Sequence, residues 1–202
     1  CNGLVEAGGE VTLVSDADPA KVGAFQKAFP NARAARCEEE VLESGVRLIA
    51  SASVPADRCG VALRAMRHGK DCFVDKPPLT ARAQLQEARE AVAATGKKYA
   101  VYYSERLHVE AAVYAEQLMK EGAIGRVVQI MGWGPHRLNA SQRPPWFFEK
   151  ERYGGILVDI GCHQIEQILF YAGAQDGAIG ASRIGNYNNP LYPNFQDFGD
   201  AT

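Results

Sequence analysis

In the first half of the chain, short apolar runs alternate with longer amphipathic stretches. "VTLVSD" (residues 11–16) is a β-branched run, "VRLIASAS" (46–53) and "DCFV" (71–74) are of the buried-strand kind, and "KKYAVYYS" (97–104) is a fourth. Between them lie helix signals. Asp18 followed by Pro19 gives an N-cap and a proline at the first helical position, which predicts a helix through about Phe29. Pro55 stands near the start of a second helix that ends around His68-Gly69, and Leu79-Thr80 caps a third, "ARAQLQEAREAVAATG", stopped by Gly96. Strands alternating with helices of this length predict a mostly parallel sheet with right-handed crossovers.

The pattern changes after residue 105. A helix over about 109–121 leads into "RVVQIMGWG", followed by a stretch of little periodicity at 134–152. Loops of more than about 12–15 residues without structure of their own are uncommon and often functional. This one holds His136, Arg137, Asn139, Arg143 and Trp146, a mixture suited to hydroxyl groups and a sugar-like face, although for any single residue a surface loop whose aromatics pack back on the body is the better reading. "GGILVDIGCHQIEQILFYA" then predicts one helix from about Gly155 to Ala172.

Composition narrows the class. With 47% hydrophobic and 23% charged residues and no low-complexity tract, the chain reads as a globular protein able to bury roughly 70% of its unfolded surface. Its 22 basic and 24 acidic residues leave a net charge of -2 with no basic cluster, so neither nucleic acid nor an anionic membrane is the expected partner. Cys1, Cys37, Cys59, Cys72 and Cys162 show no CxxC or His/Cys ligand spacing. They predict neither a disulfide framework nor a metal site, but reduced thiols in a cytoplasm. No apolar run reaches the roughly 18 residues of a membrane span.

Two features carry chemistry. In "FVDKPPLT", Pro77 and Pro78 end the strand and fix the backbone, so the Lys76 side chain leaves the carboxyl end of a parallel strand in one direction. That end is where such sheets bind ligands. Asp159 and His163 are four residues apart and would share a helical face, where the carboxylate could orient the imidazole and raise its basicity. Gly154 and Gly155 before them suit a close backbone approach.

In their order, "DKPP", "EGAIGRVVQI" and "GGILVDIGCHQIEQ" make the chain resemble the glucose-fructose oxidoreductase and inositol dehydrogenase family (Gfo/Idh/MocA). The resemblance implies a Rossmann-type doubly wound parallel sheet over 1–105 and part of an α+β domain with a large open mixed sheet over 106–202. It further implies an NAD(P)-dependent oxidoreductase acting on a secondary hydroxyl of a sugar, inositol or related polyol, and a homo-oligomer. Lys76 then matches the family's Glu-Lys-Pro lysine, facing both cofactor and substrate, and Asp159 and His163 match its D-x-x-x-H pair, with the histidine as proton acceptor. Asp16 falls where the acid that binds the adenosine ribose would sit, with Ser53 and Asp75 as further cofactor contacts and His136 and Trp146 as substrate contacts.

The chain departs from the family pattern in three places. Asp75 replaces the motif glutamate, and Ser53-Val54 with Arg58 stand where the family often has Thr-Pro followed four residues on by histidine. No G-x-G-x-x-G follows a first strand, and Gly8 and Gly9 read as a helix stop, so the residues are expected to begin inside a longer protein and to end before the family's sheet is complete. Two other functions fit the same features: an NAD-using, redox-neutral glycoside cleavage, and a non-catalytic sugar or nucleotide sensor.

Overall fold

A computed structural model describes all of residues 1–202. The elements of the first half are α1 (Asn2–Glu6), β1 (Leu13–Val14), α2 (Pro19–Ala28), β2 (Arg33–Ala34), α3 (Glu38–Glu43), β3 (Leu48–Ser51), α4 (Pro55–Arg67), β4 (Asp71–Asp75), α5 (Arg82–Thr95) and β5 (Tyr99–Tyr102). The second half has α6 (Ser104–Leu107), α7 (Glu110–Lys120), α8 (Lys150–Tyr153), α9 (Ile156–Asp159), α10 (Gly161–Ala172), β6 (Ser182–Gly185) and β7 (Phe198–Ala201), with 3-10 turns at Ala140–Gln142 and Pro145–Phe148. The fold is α/β.

All four expected strands are present, and their pairing is parallel, β3–β4–β5 forming one sheet and β1–β2 another. Capping follows local chemistry. The Asp18 carboxylate accepts from the Ala20 amide, and Gly96 closes α5 in the left-handed region at φ 66°. At the start of α5 the cap differs from expectation: Ala81 is the N-cap, and the Gln84 side chain reaches back to accept from the Thr80 and Ala81 amides. Gln84 also donates to the Ala56 carbonyl, and that contact ties α5 to α4. Two elements of the first half were not expected. β2 is only two residues long, too short to show a period, whereas α3 opens with three glutamates that favour a helix N-terminus.

The main core lies between β4 and the helices α3, α4 and α5. It contains Leu42, Cys59, Ala62, Leu63, Ala65, Met66, Cys72, Val74, Ala88 and Ala91. β4 alternates accordingly: Cys72 and Val74 point into this core, and Phe73 points to the other face against Tyr102. A second, aromatic core gathers Phe148, Tyr153 and Phe195, so the stretch 134–152 is a folded cap and not an open loop.

The large open mixed sheet expected in the second half is represented by the antiparallel pair β6–β7 alone. The run 126–134 has no ladder partner within the chain and leaves Val128, Met131 and Trp133 exposed. Met66 sits 1% exposed where α4 meets the sheet, so Met66→Ala is expected to cost about 2–5 kcal/mol. The midpoint of guanidinium unfolding checks this, and an unchanged midpoint would show that α4 is not docked as described.

Candidate active site

The turn after β4 is built to hold one lysine. Asp75 Oδ1 accepts from the Lys76 amide at 2.9 Å, and Lys76-Pro77 is a cis peptide. Arg58, only 6% exposed on α4, holds this turn from beneath. Its guanidinium donates to the Lys76 carbonyl, to the Pro77 carbonyl at 3.1 Å and to the Ser53 carbonyl at 2.8 Å, and it lies 3.7 Å from Asp75 Oδ2. The loop after β3 and the turn after β4 are thus locked together by one planar donor, which a lysine could not replace.

The Lys76 ammonium reaches across to the second half of the chain. It donates to the Asp159 carbonyl at 2.8 Å and to Asp159 Oδ1 at 3.0 Å. The helix expected over 155–172 is two helices, broken at Ile160. In an unbroken helix the Asp159 carbonyl would accept from the His163 amide. Here that amide turns to the Ile160 carbonyl, and the freed Asp159 oxygen takes Lys76 and the Cys162 thiol. Gly154 and Gly155, at φ 94° and 91°, admit the close approach at the entrance. A Cβ on Gly155 would lie 2.6 Å from Gln196 Oε1, the acceptor for the first amide of α9.

Asp159 and His163 are both buried, but the expected carboxylate–imidazole bond is not made, because Lys76 occupies the Asp159 carboxylate. The acid facing His163 is Glu105, whose Oε1 lies 3.8 Å from Nε2. Glu105 Oε1 also pairs with His136 Nε2 at 3.1 Å, and its Oε2 accepts from Gln164 at 3.3 Å. Burial lowers the His163 pKa below 6.5. Glu105 opposes that shift, Lys76 and His136 add to it, and Asp159 raises the pKa slightly. The ring is a base kept neutral to lower pH than a free histidine. Tyr103 meets it edge-on at 6.2 Å. The Cys162 thiol, pushed up to about 12 chiefly by burial, is no thiolate.

Of the residues marked in the sequence, Lys76, Asp75, Ser53, Asp159, His163 and His136 converge here. Trp146 does not. It packs beside Phe147, 6.0 Å between ring centroids, in the aromatic core. Asp16 lies in the turn after β1, where its carboxylate accepts from the Asp18 amide at 2.8 Å. Glu105 and Arg58 were missed as site residues. The signal for Glu105 was available, since it is an acid just past the carboxyl end of a parallel strand. No group of three or more histidine, cysteine and acidic side chains is arranged to hold a metal ion.

The fold and site define an α/β protein with charged and polar side chains gathered at the carboxyl ends of its parallel strands. Residues 112–185 match the family model described as the GFO/IDH/MocA C-terminal domain. The chain is 34% identical over 126 residues to D-xylose dehydrogenase of Paenarthrobacter nicotinovorans, covering 58% of this chain and 31% of that protein. It is 28% identical over 164 residues to scyllo-inositol 2-dehydrogenase (NAD(+)) of Bacillus subtilis strain 168, covering 80% and 46%. It superimposes with a TM-score of 0.96 and 44% identity on the crystal structure of a candidate oxidoreductase from Erwinia carotovora atroseptica SCRI1043, covering 100% of this chain and 60% of that one. The match to the Gfo/Idh/MocA family model is confined to residues 112–185, and the chain spans less than half the length of these two curated relatives.

Arg58 should be a structural keystone of the site. Arg58→Met leaves three carbonyls without a donor and is expected to destabilise by about 2–3 kcal/mol, and Arg58→Lys should recover only part of that. Urea denaturation of the three proteins checks it, and equal stability of the lysine variant and the parent would refute the clamp.

Proposed function

We propose that the chain forms the catalytic part of a dehydrogenase that oxidises a secondary hydroxyl of a sugar, inositol or related polyol with NAD. Residues 1–105 would serve the dinucleotide and residues 106–202 the substrate. The observation that carries this is the Lys76 ammonium seated on Asp159 one helical turn before the buried His163. The names of the two curated relatives support the hydroxyl class and a nicotinamide cofactor.

The residues fit such a cofactor. Ser53, Lys76 and Asp16 follow the carboxyl ends of β3, β4 and β1. When bound, the nicotinamide supplies the acceptor for the substrate's hydride. The chain's own part is proton and charge. Lys76 stabilises the oxygen as it becomes an alkoxide, Asp159 holds the ammonium in place and accepts from a neighbouring hydroxyl, and His163 receives the hydroxyl proton. Burial suits that role by keeping His163 neutral, ready to accept.

Asp16 favours NAD over NADP, because a carboxylate accepts ribose hydroxyls and repels a 2'-phosphate. Arg33 and Arg36, the two nearby cations that could offset it, are both bound to Glu40, whose carboxyl is held down to about 2 by the Arg36 amide and the two guanidinium groups. In the full-length protein kcat/KM for NAD should exceed that for NADP, and a tenfold preference for NADP, roughly 1.4 kcal/mol, would sink the assignment.

Lys76→Met should lower kcat by about 100-fold or more, on the order of 2.7 kcal/mol, with D-xylose and inositols as the first substrates to screen. It also strands the buried Asp159 carboxylate, so Tm falls too. Adding Asp159→Asn should restore Tm but not kcat, and recovery of both would make the lysine structural. The acidic limb of kcat/KM, set by protonation of His163 as pH drops, should lie below pH 6.5 and vanish in His163→Asn. Product formation without net NADH would redirect the reading to redox-neutral chemistry.

A further inference from the structure

Oxidising an alcohol leaves one proton on the base at every turnover, and His163 has few ways to lose it. Its side chain is 4% exposed, and its Nδ1 is buried without a hydrogen-bond partner, so the ring exchanges protons only through Nε2. The groups facing the ring are Tyr103 and Glu105 from the β5–α6 corner, Lys76 from the turn after β4, Asp159 from α9 and His136 from the segment before the aromatic core. Among them Lys76 is a cation, Asp159 is paired with Lys76 and does not come within ion-pair reach of the ring as Glu105 does, and the Tyr103 hydroxyl, pushed up to about 12 by burial, keeps its proton. Glu105 is the acceptor left, and it touches His136.

We propose that Glu105 and His136 form a proton relay that carries the proton from His163 to bulk water. The proposal rests on the dehydrogenase reading above. The His136 tautomer is set by its surroundings. Nδ1 lies 3.1 Å from the Gly134 carbonyl, which can only accept, so Nδ1 carries a hydrogen. Nε2, 3.1 Å from Glu105 Oε1, then shares one further proton with that carboxylate, as imidazolium and carboxylate or as imidazole and carboxylic acid. These two forms are the two states of a relay. The hydroxyl proton passes to His163 Nε2, from there to Glu105 Oε1, and then to His136 Nε2. The His136 side chain, 42% exposed, releases it to water. Each step breaks one bond to hydrogen and forms one, with no other reactant. The gap of 3.8 Å between His163 Nε2 and Glu105 is longer than a hydrogen bond, as such contacts commonly are before a substrate closes the site. The Gln164 side chain holds the other Glu105 oxygen at 3.3 Å and keeps the carboxylate aimed between the two rings.

The sequence spacing hides this arrangement, because Glu105, His136 and His163 come from three separate segments. Histidine at 136 reads as a substrate contact only until the partner of its Nε2 is known.

The test uses the full-length protein in dilute, bulky buffer. His136→Asn keeps the Glu105 charge but removes the exit; it should lower kcat by about tenfold with KM little changed, and added imidazole should restore most of the loss. Glu105→Gln should lower kcat further and be rescued poorly, since the break then lies inside the protein. A second readout needs no turnover: in nitrogen-15 NMR titrations Glu105→Gln should move the His163 midpoint to lower pH, as its nearest anion is lost. Unchanged kcat in His136→Asn, or a loss that imidazole does not repair, overturns the relay. If the parent protein oxidises no polyol, the dehydrogenase reading fails instead, and the titration alone then decides whether Glu105 is coupled to His163. A stationary midpoint refutes that coupling.

Discussion

The tie between the Lys76 ammonium and Asp159 is the contact on which the site's geometry depends. A half-buried ammonium needs acceptors, and Lys76 finds two on one residue, the carbonyl at 2.8 Å and the carboxylate at 3.0 Å. The carbonyl that bonds Lys76 does not receive the His163 amide, and it lies where α9 and α10 separate at Ile160, with His163 in the first turn of the second. Taking the carboxylate removes Asp159 as a partner for His163 and leaves that role to Glu105. One cation thus meets the chain where its helix is interrupted and adds to the burial that lowers the pKa of His163.

Such a contact holds only if both sides are stiff. On the first side, Arg58 and the Asp75 carboxylate fix the turn that carries Lys76. On the second, Gly154 and Gly155 bring the chain in through backbone angles open to glycine, and Gln196 takes the Ile156 amide while its own amide donates to the Tyr153 hydroxyl. The aromatic core around Phe148, Tyr153 and Phe195 therefore supports the site from behind. Trp146 belongs to that support and not to the site's lining.

How far the sequence reveals this follows from the range of the forces involved. The parallel strands and α2, α4, α5 and α7 are legible because runs, caps and glycine stops are local, and the lysine before two prolines is legible because proline acts on its own neighbours. The break at Ile160 is not, since "ILVDIGCHQIEQILFYA" reads as one amphipathic run and the contact made at the break comes from a lysine 83 residues upstream. For the same reason the Asp159–His163 pair looks like an ion pair in sequence. The spacing is right, but a stronger cation from another element arrives first. β2 escapes because two residues carry no period, and in 134–152 the packing of the aromatics onto the body is legible but their partners Tyr192 and Phe195, far along the chain, are not.

Two of the chain's departures from the family pattern prove to be one structural unit. Asp75 is one methylene shorter than the motif glutamate, and Arg58 is longer than the histidine often found at its position. In space Arg58 Nη2 lies 3.7 Å from Asp75 Oδ2. The shorter acid turns back to its own turn and accepts the Lys76 amide, and the longer base fills the space beneath by bonding the Ser53, Lys76 and Pro77 carbonyls. Burying a guanidinium this deeply lowers its pKa by desolvation, which Asp75 and then Asp159 offset. The acid that sets the turn thus also compensates the charge that clamps it. Exchange of either residue alone for its family counterpart would leave a buried charge short of a partner or a carbonyl short of a donor, so the two departures are physically coupled.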